Sequence, residues 1–233
     1  MSRAEQPYSS DHRSRIEKQN WEYLRSFPDI HLSLIGEQLG SGFYHMVFAY
    51  EDGWVLKIPK LLPGFPLYTA EERRDELDLM KEFFPSESIV ETRIISSPHK
   101  PFYCFIQKKI NNHGYADKGD VDNAQLQAII EANRRVIEHE HATFDFFGFA
   151  GFMWGMQSLL DKCNQHFLTN ILTQTDEQGV KHFHVADTTL YFFDKKYRPQ
   201  ESLKHTVAQI ALLGNKYLMK NFFGTDILPK ILG

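Results

Sequence analysis

Cysteine is scarce in this chain. The two present among 233 residues, Cys104 and Cys163, stand far apart in apolar stretches. They read as reduced core thiols of a reducing compartment rather than as a disulfide framework. A dedicated metal motif is also missing. Of eleven histidines, no pair has the spacing and flanks of a His-Glu-x-x-His helix. His139 and His141 are two apart and would face different ways on a helix.

Positive charge is not in excess either. A formal net charge of −4 argues against a broad nucleic-acid-binding face. The first residues are polar and show no apolar signal core. The most membrane-like stretch, Phe146 to Leu160, is shorter than the roughly 18–20 residues that a span needs. It carries Gln157 and Ser158 and runs straight into Asp161 and Lys162, so it reads as a buried helix. The expected setting is the cytoplasm, or a host cell reached as a secreted effector.

What is present describes an ordinary globular chain, with 42% hydrophobic and 24% charged residues. Its length suits one compact domain, or two lobes sharing a cleft. Aromatics are plentiful, at 14% with 19 Phe, and point to a core built on large rings.

The organising stretch runs from Leu39 to Lys57. Alternating apolar residues around Gly40, Ser41 and Gly42 predict two strands joined by a glycine-bearing hairpin. Backbone N–H groups at such a turn can meet phosphate oxygens closely. After a turn at Glu51-Asp52-Gly53, a third strand reaches Lys57, a point charge suited to phosphate. Prolines 59, 63 and 66 then break the chain. Thr69 can cap a helix through about Phe84, with acidic residues in its first turn. Upstream, a helix from Ser10 or Asp11 to about Phe27 would pack as scaffolding behind these strands.

Two further strands are expected at 88–96 and 102–110, followed by a polar linker at 111–122. Asn123 to Glu140 reads as an amphipathic helix with Leu126, Ile129, Ile130 and Ile137 on its inner face. A loop around 143–148 leads to the apolar helix at about 149–164. A strand near Asn170, a turn at 175–179 and a strand ending on Asp187 come next. An extended stretch to Pro199 and a helix from about Glu201 to Phe223 close the chain.

Gly40, Gly42, Val47 and Lys57 resemble the Gly-rich loop and the lysine-bearing third strand of the protein kinase fold. His45 stands where the third glycine of that loop would be. The resemblance implies a two-lobe α+β protein: residues 1–110 form an antiparallel small lobe, and 111–233 a reduced, helical large lobe. It implies ATP and Mg²⁺ as cofactors. Glu76 would hold Lys57, with Glu72 as the alternative partner and Lys60 as the alternative lysine. Ile106 would stand as gatekeeper, and Gln107 and Lys108 to Lys109 would offer backbone groups to adenine. Asn170 and Asp187 would hold the metal.

Two departures from the family pattern stand out. Asp187 is followed by Thr188-Thr189 rather than Phe-Gly. The expected catalytic aspartate, five residues before Asn170, is Gln165, which leaves Asp145, Asp161, His166 or no residue as the base. The peptide-docking helices of ordinary protein kinases are absent, so the chain is similar to reduced bacterial and effector kinase-like proteins. The implied activity is phosphoryl transfer to a protein Ser/Thr hydroxyl. The alternatives are transfer to a small molecule, AMP transfer, a pseudokinase acting through partners, or a plain scaffold.

Overall fold

Strand-forming alternation gathers the first half of the chain into one sheet. The computed structural model describes residues 22–41, 45–60, 68–98, 102–111, 114–146, 167–187 and 189–192. Gly42, the apolar helix with Asp161 and Cys163, Gln165, His166 and the helix expected at 201–223 lie outside these residues.

Five strands make an antiparallel sheet in the order β1-β2-β3-β5-β4. They are β1 (Ile35–Ser41), β2 (His45–Tyr50), β3 (Trp54–Pro59), β4 (Thr92–Ser96) and β5 (Tyr103–Lys108). The β2–β3 turn sets Glu51 at φ 49° and Gly53 at φ 78°, a left-handed pair that glycine makes inexpensive at its second position. Helix α1 (Ala70–Phe83) connects β3 to β4. Thr69 and Glu72 close a reciprocal capping box at its start, worth about 1 kcal/mol. Glu72 is therefore committed to the helix terminus.

Cross-strand partners share a face, and here the faces have different jobs. Leu56, Ile58, Met46 and Ile106 pack with Tyr23, Leu24, Phe27 and Ile30 in one core behind the sheet. The Tyr23 hydroxyl donates to the Tyr103 carbonyl at 2.7 Å and accepts its N–H at 3.2 Å. The predicted N-terminal helix thus has its described end where the sequence placed it, against the back of the sheet. The front face carries Val47, Lys57 and Phe105, which sit opposite one another in register.

The rest is a mixed layer. Strand β6 (Gly114–Asp117) pairs with β8 (Phe167–Thr175), which pairs with β9 (Lys181–Val185). Helix α2 (Ala124–Glu140), capped by Asn123, leads into β7 (Ala142–Phe144). Strand β7 pairs with β10 (Leu190–Phe192). One core joins Met80 and Phe84 of α1 to α2 and the strands around it. The fold is α+β, with the antiparallel sheet that the resemblance implies.

Several local expectations change. Part of the presumed linker at 111–122 is strand β6, because Ala116 is wanted in the second core. The presumed loop at 143–148 begins with β7, whose three residues are all buried. The strand expected from residue 88 starts only at Thr92, since a 3-10 turn at Ser86–Ser88 precedes it. Among the described residues the second half therefore holds more strand than expected, while its helix expected at 123–140 is present.

Ile106 points away from the front face and into the rear core. Its truncation to Ala should cost about 2–4 kcal/mol, as for other core aliphatics. The loss would appear as a lower urea midpoint, with nucleotide affinity held in the fraction that remains folded.

Candidate active site

Position 57 is fixed by the parity of β3. Its neighbours Leu56 and Ile58 face the rear core, so Lys57 must face forward. Its Nζ donates to the Ala186 carbonyl at 2.6 Å, across 129 residues of sequence. Burial pushes the Lys57 ammonium pKa down, and Asp187 nearby counters that by favouring the charged form. Lys57 and Asp187 therefore meet in one site, and an ammonium with three donors keeps others for phosphate oxygens after binding Ala186.

The far side of the site is stitched by backbone. Ala186 N–H donates to the Asn170 carbonyl at 3.1 Å, and Asn170 N–H donates to the Phe146 carbonyl at 3.2 Å. The Asn170 amide nitrogen donates to the Asp145 carbonyl at 2.6 Å. This turns its amide oxygen the opposite way. Asn170, Ala186–Asp187 and Asp145 are thus neighbours. Asp145 follows β7 directly and is 7% exposed. Asp161 and His166, the other candidate bases, lie outside the described residues.

Asp187 is surrounded by donors and cations. Thr189 gives its hydroxyl to Asp187 Oδ1 at 2.7 Å and its N–H to the same oxygen at 3.1 Å. Burial pushes the Asp187 carboxyl up, but His45, Lys57, the Thr189 bond and Arg73 more than offset it and hold it below the usual range. Burial drives His45 down to about 3, so its ring is neutral at pH 7. That leaves Lys57, Thr189 and Arg73 as the groups that favour the Asp187 carboxylate. Asp187 is accordingly a carboxylate.

Glu76 has a different partner from the expected one. Its Oε2 accepts from Arg73 Nη1 at 2.5 Å, with both side chains almost wholly buried. Three residues apart on α1, the two meet on one helix face. Removing one member of such a pair costs about 3–5 kcal/mol. Arg73 also lies over the Tyr68 ring, 3.6 Å from its centroid.

The adenine side is corrected more sharply. Ile106 cannot be the gatekeeper, since a one-residue step in a strand flips the side chain to the other face. Phe105, opposite Lys57, is the large front-facing residue of that strand. Gln107 is buried and its amide donates to Thr92 at 2.9 Å. The N–H of Lys108 donates to Glu91 and that of Lys109 to Gly53. Strand β5 lies between β3 and β4, so these donors are already used by its neighbours.

Gly40 and Ser41 sit on β1, opposite Val47 and Met46. A Cβ built on Gly40 meets nothing within 4 Å, so packing does not require glycine there. The register of β1 against β2 shifts between Gln38 and Gly40, an irregularity that glycine accommodates easily. His45, expected as a loop-tip substitute for glycine, instead begins β2 and is buried, its ring edge-on to Phe105 at 5.3 Å. His45, Arg73 and Thr189 were not picked out as site residues. The signal for Arg73 was its position one turn before Glu76, and for Thr189 its place two residues after Asp187.

Asn170 and Asp187 offer two hard oxygen donors, one neutral and one anionic. Among the described residues no group of three His, Cys, Asp or Glu gathers to cage a metal. That donor set fits magnesium, which keeps waters and phosphate oxygens in its shell and takes few protein ligands. No described helix is long and apolar enough to cross a membrane.

No protein-family model matches the chain, and no curated protein matches it. Among solved structures it is similar to two aminoglycoside phosphotransferases. One is the GDP and kanamycin complex of APH(2")-IIia, at 14% identity and a TM-score of 0.32, covering 65% of this chain and 52% of that one. The other is the streptomycin-ATP-APH(2")-IIa ternary complex, at 14% identity and a TM-score of 0.30, covering 69% and 53%. The chain spans about half the length of either structure.

Two outcomes follow from this geometry. Gly40→Ala should leave the thermal midpoint within about 1 °C yet weaken ATP binding about 10-fold or more, as read by calorimetry. The second concerns acid. His45 in the fold binds its proton far less readily than in the unfolded chain, so protons favour unfolding between about 6.5 and 3. Stability should fall as pH drops through that window, by up to about 1.4 kcal/mol per pH unit. Urea midpoints at pH 7, 6 and 5 should show a shallower decline in His45→Phe than in the parent.

Proposed function

We propose that the chain is a nucleotide-dependent phosphotransferase acting on a hydroxyl acceptor. The observation that carries this reading is the Lys57–Ala186 bond, which sets the strand lysine beside Asp187 and Asn170 from the opposite half of the chain. In this reading Lys57 orients the phosphates with the donors that Ala186 leaves it. Asn170 and Asp187 would hold magnesium, which when bound neutralises charge on the phosphate oxygens. Asp145 takes the proton of the acceptor hydroxyl as its oxygen attacks the γ-phosphorus and the nucleoside diphosphate departs.

Asp145 is favoured over the other bases by its surroundings. It follows the strand that pairs with β10, and its carbonyl is tied to Asn170. The backbone of Asp145 is thus joined through Asn170 to Ala186, the acceptor of Lys57. That supports Asp145 as the base, although 24 residues intervene in sequence between Asp145 and Asn170. Glu76 acts here through α1 and Arg73 rather than on the lysine. Val47, on the Lys57 face, is the residue to cover the purine. With the Lys108 and Lys109 N–H groups engaged elsewhere, purine identity rests on few donors, so ATP and GTP both belong in the assay. The acceptor is a protein Ser/Thr hydroxyl or a small-molecule hydroxyl.

Separate incubations with γ-labelled and α-labelled ATP, with acceptor proteins or a panel of small polyols, test the reading. Label transferred only from the γ-position is expected. Label from the α-position would mean AMP transfer. No transfer, with magnesium-dependent ATP binding retained, would mean a pseudokinase. Lys57→Ala should cut γ-transfer about 100-fold or more, and Asp145→Asn about 100- to 10,000-fold. Untouched rates in both variants would remove the assignment.

A further inference from the structure

We propose that Thr189, whose hydroxyl is oriented by Arg73, is a positioning residue that fixes the carboxylate of Asp187. The proposal rests on the reading of Asp187 as a magnesium ligand. Arg73 is 1% exposed, and Thr189 is 3% exposed. The guanidinium lies between Tyr68 and Tyr103, at 3.6 and 5.6 Å from their centroids. Its Nη1 donates to Glu76 Oε2 at 2.5 Å and to Thr189 Oγ1 at 3.2 Å. The Thr189 hydroxyl in turn donates to Asp187 Oδ1 at 2.7 Å.

The direction of this chain of bonds is forced. A guanidinium only donates and a carboxylate only accepts, so the hydroxyl between them must accept from one and donate to the other. Its single proton goes to Asp187. Among the described residues the hydrogen bonds to Asp187 both fall on Oδ1, which aims Oδ2 without occupying it. Glu76 is the direct ion-pair partner of Arg73, and the hydrogen-bonded link from the arginine to Asp187 runs through Thr189. Both bonds leave the same guanidinium nitrogen, Nη1, whose two protons serve Glu76 and Thr189 at once. Helix α1 thereby reaches the metal acid by a route that does not include Lys57.

The test is ATP binding to the full chain by calorimetry, with EDTA and across a Mg²⁺ titration. Thr189→Val removes the hydroxyl and changes no charge. It should raise the Mg²⁺ concentration needed for tight ATP binding about 10-fold, with metal-free ATP affinity unchanged. Thr189→Ser should restore the parental titration, which a packing role alone would not. Should valine not be accommodated, Thr189→Ala carries the same expectation. A Mg²⁺ titration of Thr189→Val or Thr189→Ala that overlays the parent overturns the relay, as does an equal loss of ATP affinity in EDTA. Asp187→Asn separates the two levels. If it abolishes metal dependence while Thr189→Val does not, the relay falls alone; if it changes nothing, the magnesium reading and the relay fall together.

Discussion

A buried ammonium needs an oxygen, and the oxygen available to Lys57 belongs to the backbone at Ala186. That contact is the constraint on which the site depends. It sets strand β3 of the five-stranded sheet against the segment that follows β9. Desolvation disfavours the charged lysine, and the nearby Asp187 carboxylate favours it. Burial remains the larger effect on the lysine, whose pKa stays lowered, and the carboxylate counters it in part. The carbonyl adds orientation without a further formal charge.

The second half holds its side of the site by backbone bonds rather than by side-chain ion pairs. Asn170 bonds through its N–H, its carbonyl and its amide to Phe146, Ala186 and Asp145. Three short elements that share few sequence neighbours are locked to one strand residue. Such ties are insensitive to side-chain identity nearby. They hold Asn170 beside Asp145 and Phe146, and the pairing of β7 with β10 and of β8 with β9 fixes the strands on either side.

Much of the first half was legible from periodicity. The two hairpin strands, the Glu51–Gly53 turn and the capped helix after Thr69 follow local chemistry that acts within a few residues. That Lys57 lies on the third strand was legible from the same local pattern, although the strand runs on to Pro59. What could not be read was whatever depends on parity or on distant partners. Assigning Ile106 to the front face was a one-residue error in a strand whose both faces are apolar, so hydrophobic alternation gave no signal. The Arg73–Glu76 pair was hidden because a run of alternating charges on a helix reads as solvated. Its burial is decided by Tyr68 and Tyr103, which converge only in three dimensions. Strands β6 and β7 are short and earn their place from partners over 45 residues away, Leu172 and Tyr191 among them.

The engagement of Glu76 by Arg73 has a consequence for control. Where a helix glutamate grips the strand lysine, swinging the helix outward disarms the lysine, and activation-loop events can drive that swing. Here the helix carries its own counter-ion, and the lysine leans on the opposite side of the site. Outward rotation of α1 would leave the ammonium where it is and would pull instead on Thr189. An allosteric ligand that displaced this helix would therefore be felt at Asp187, the proposed magnesium ligand, before it was felt at the lysine.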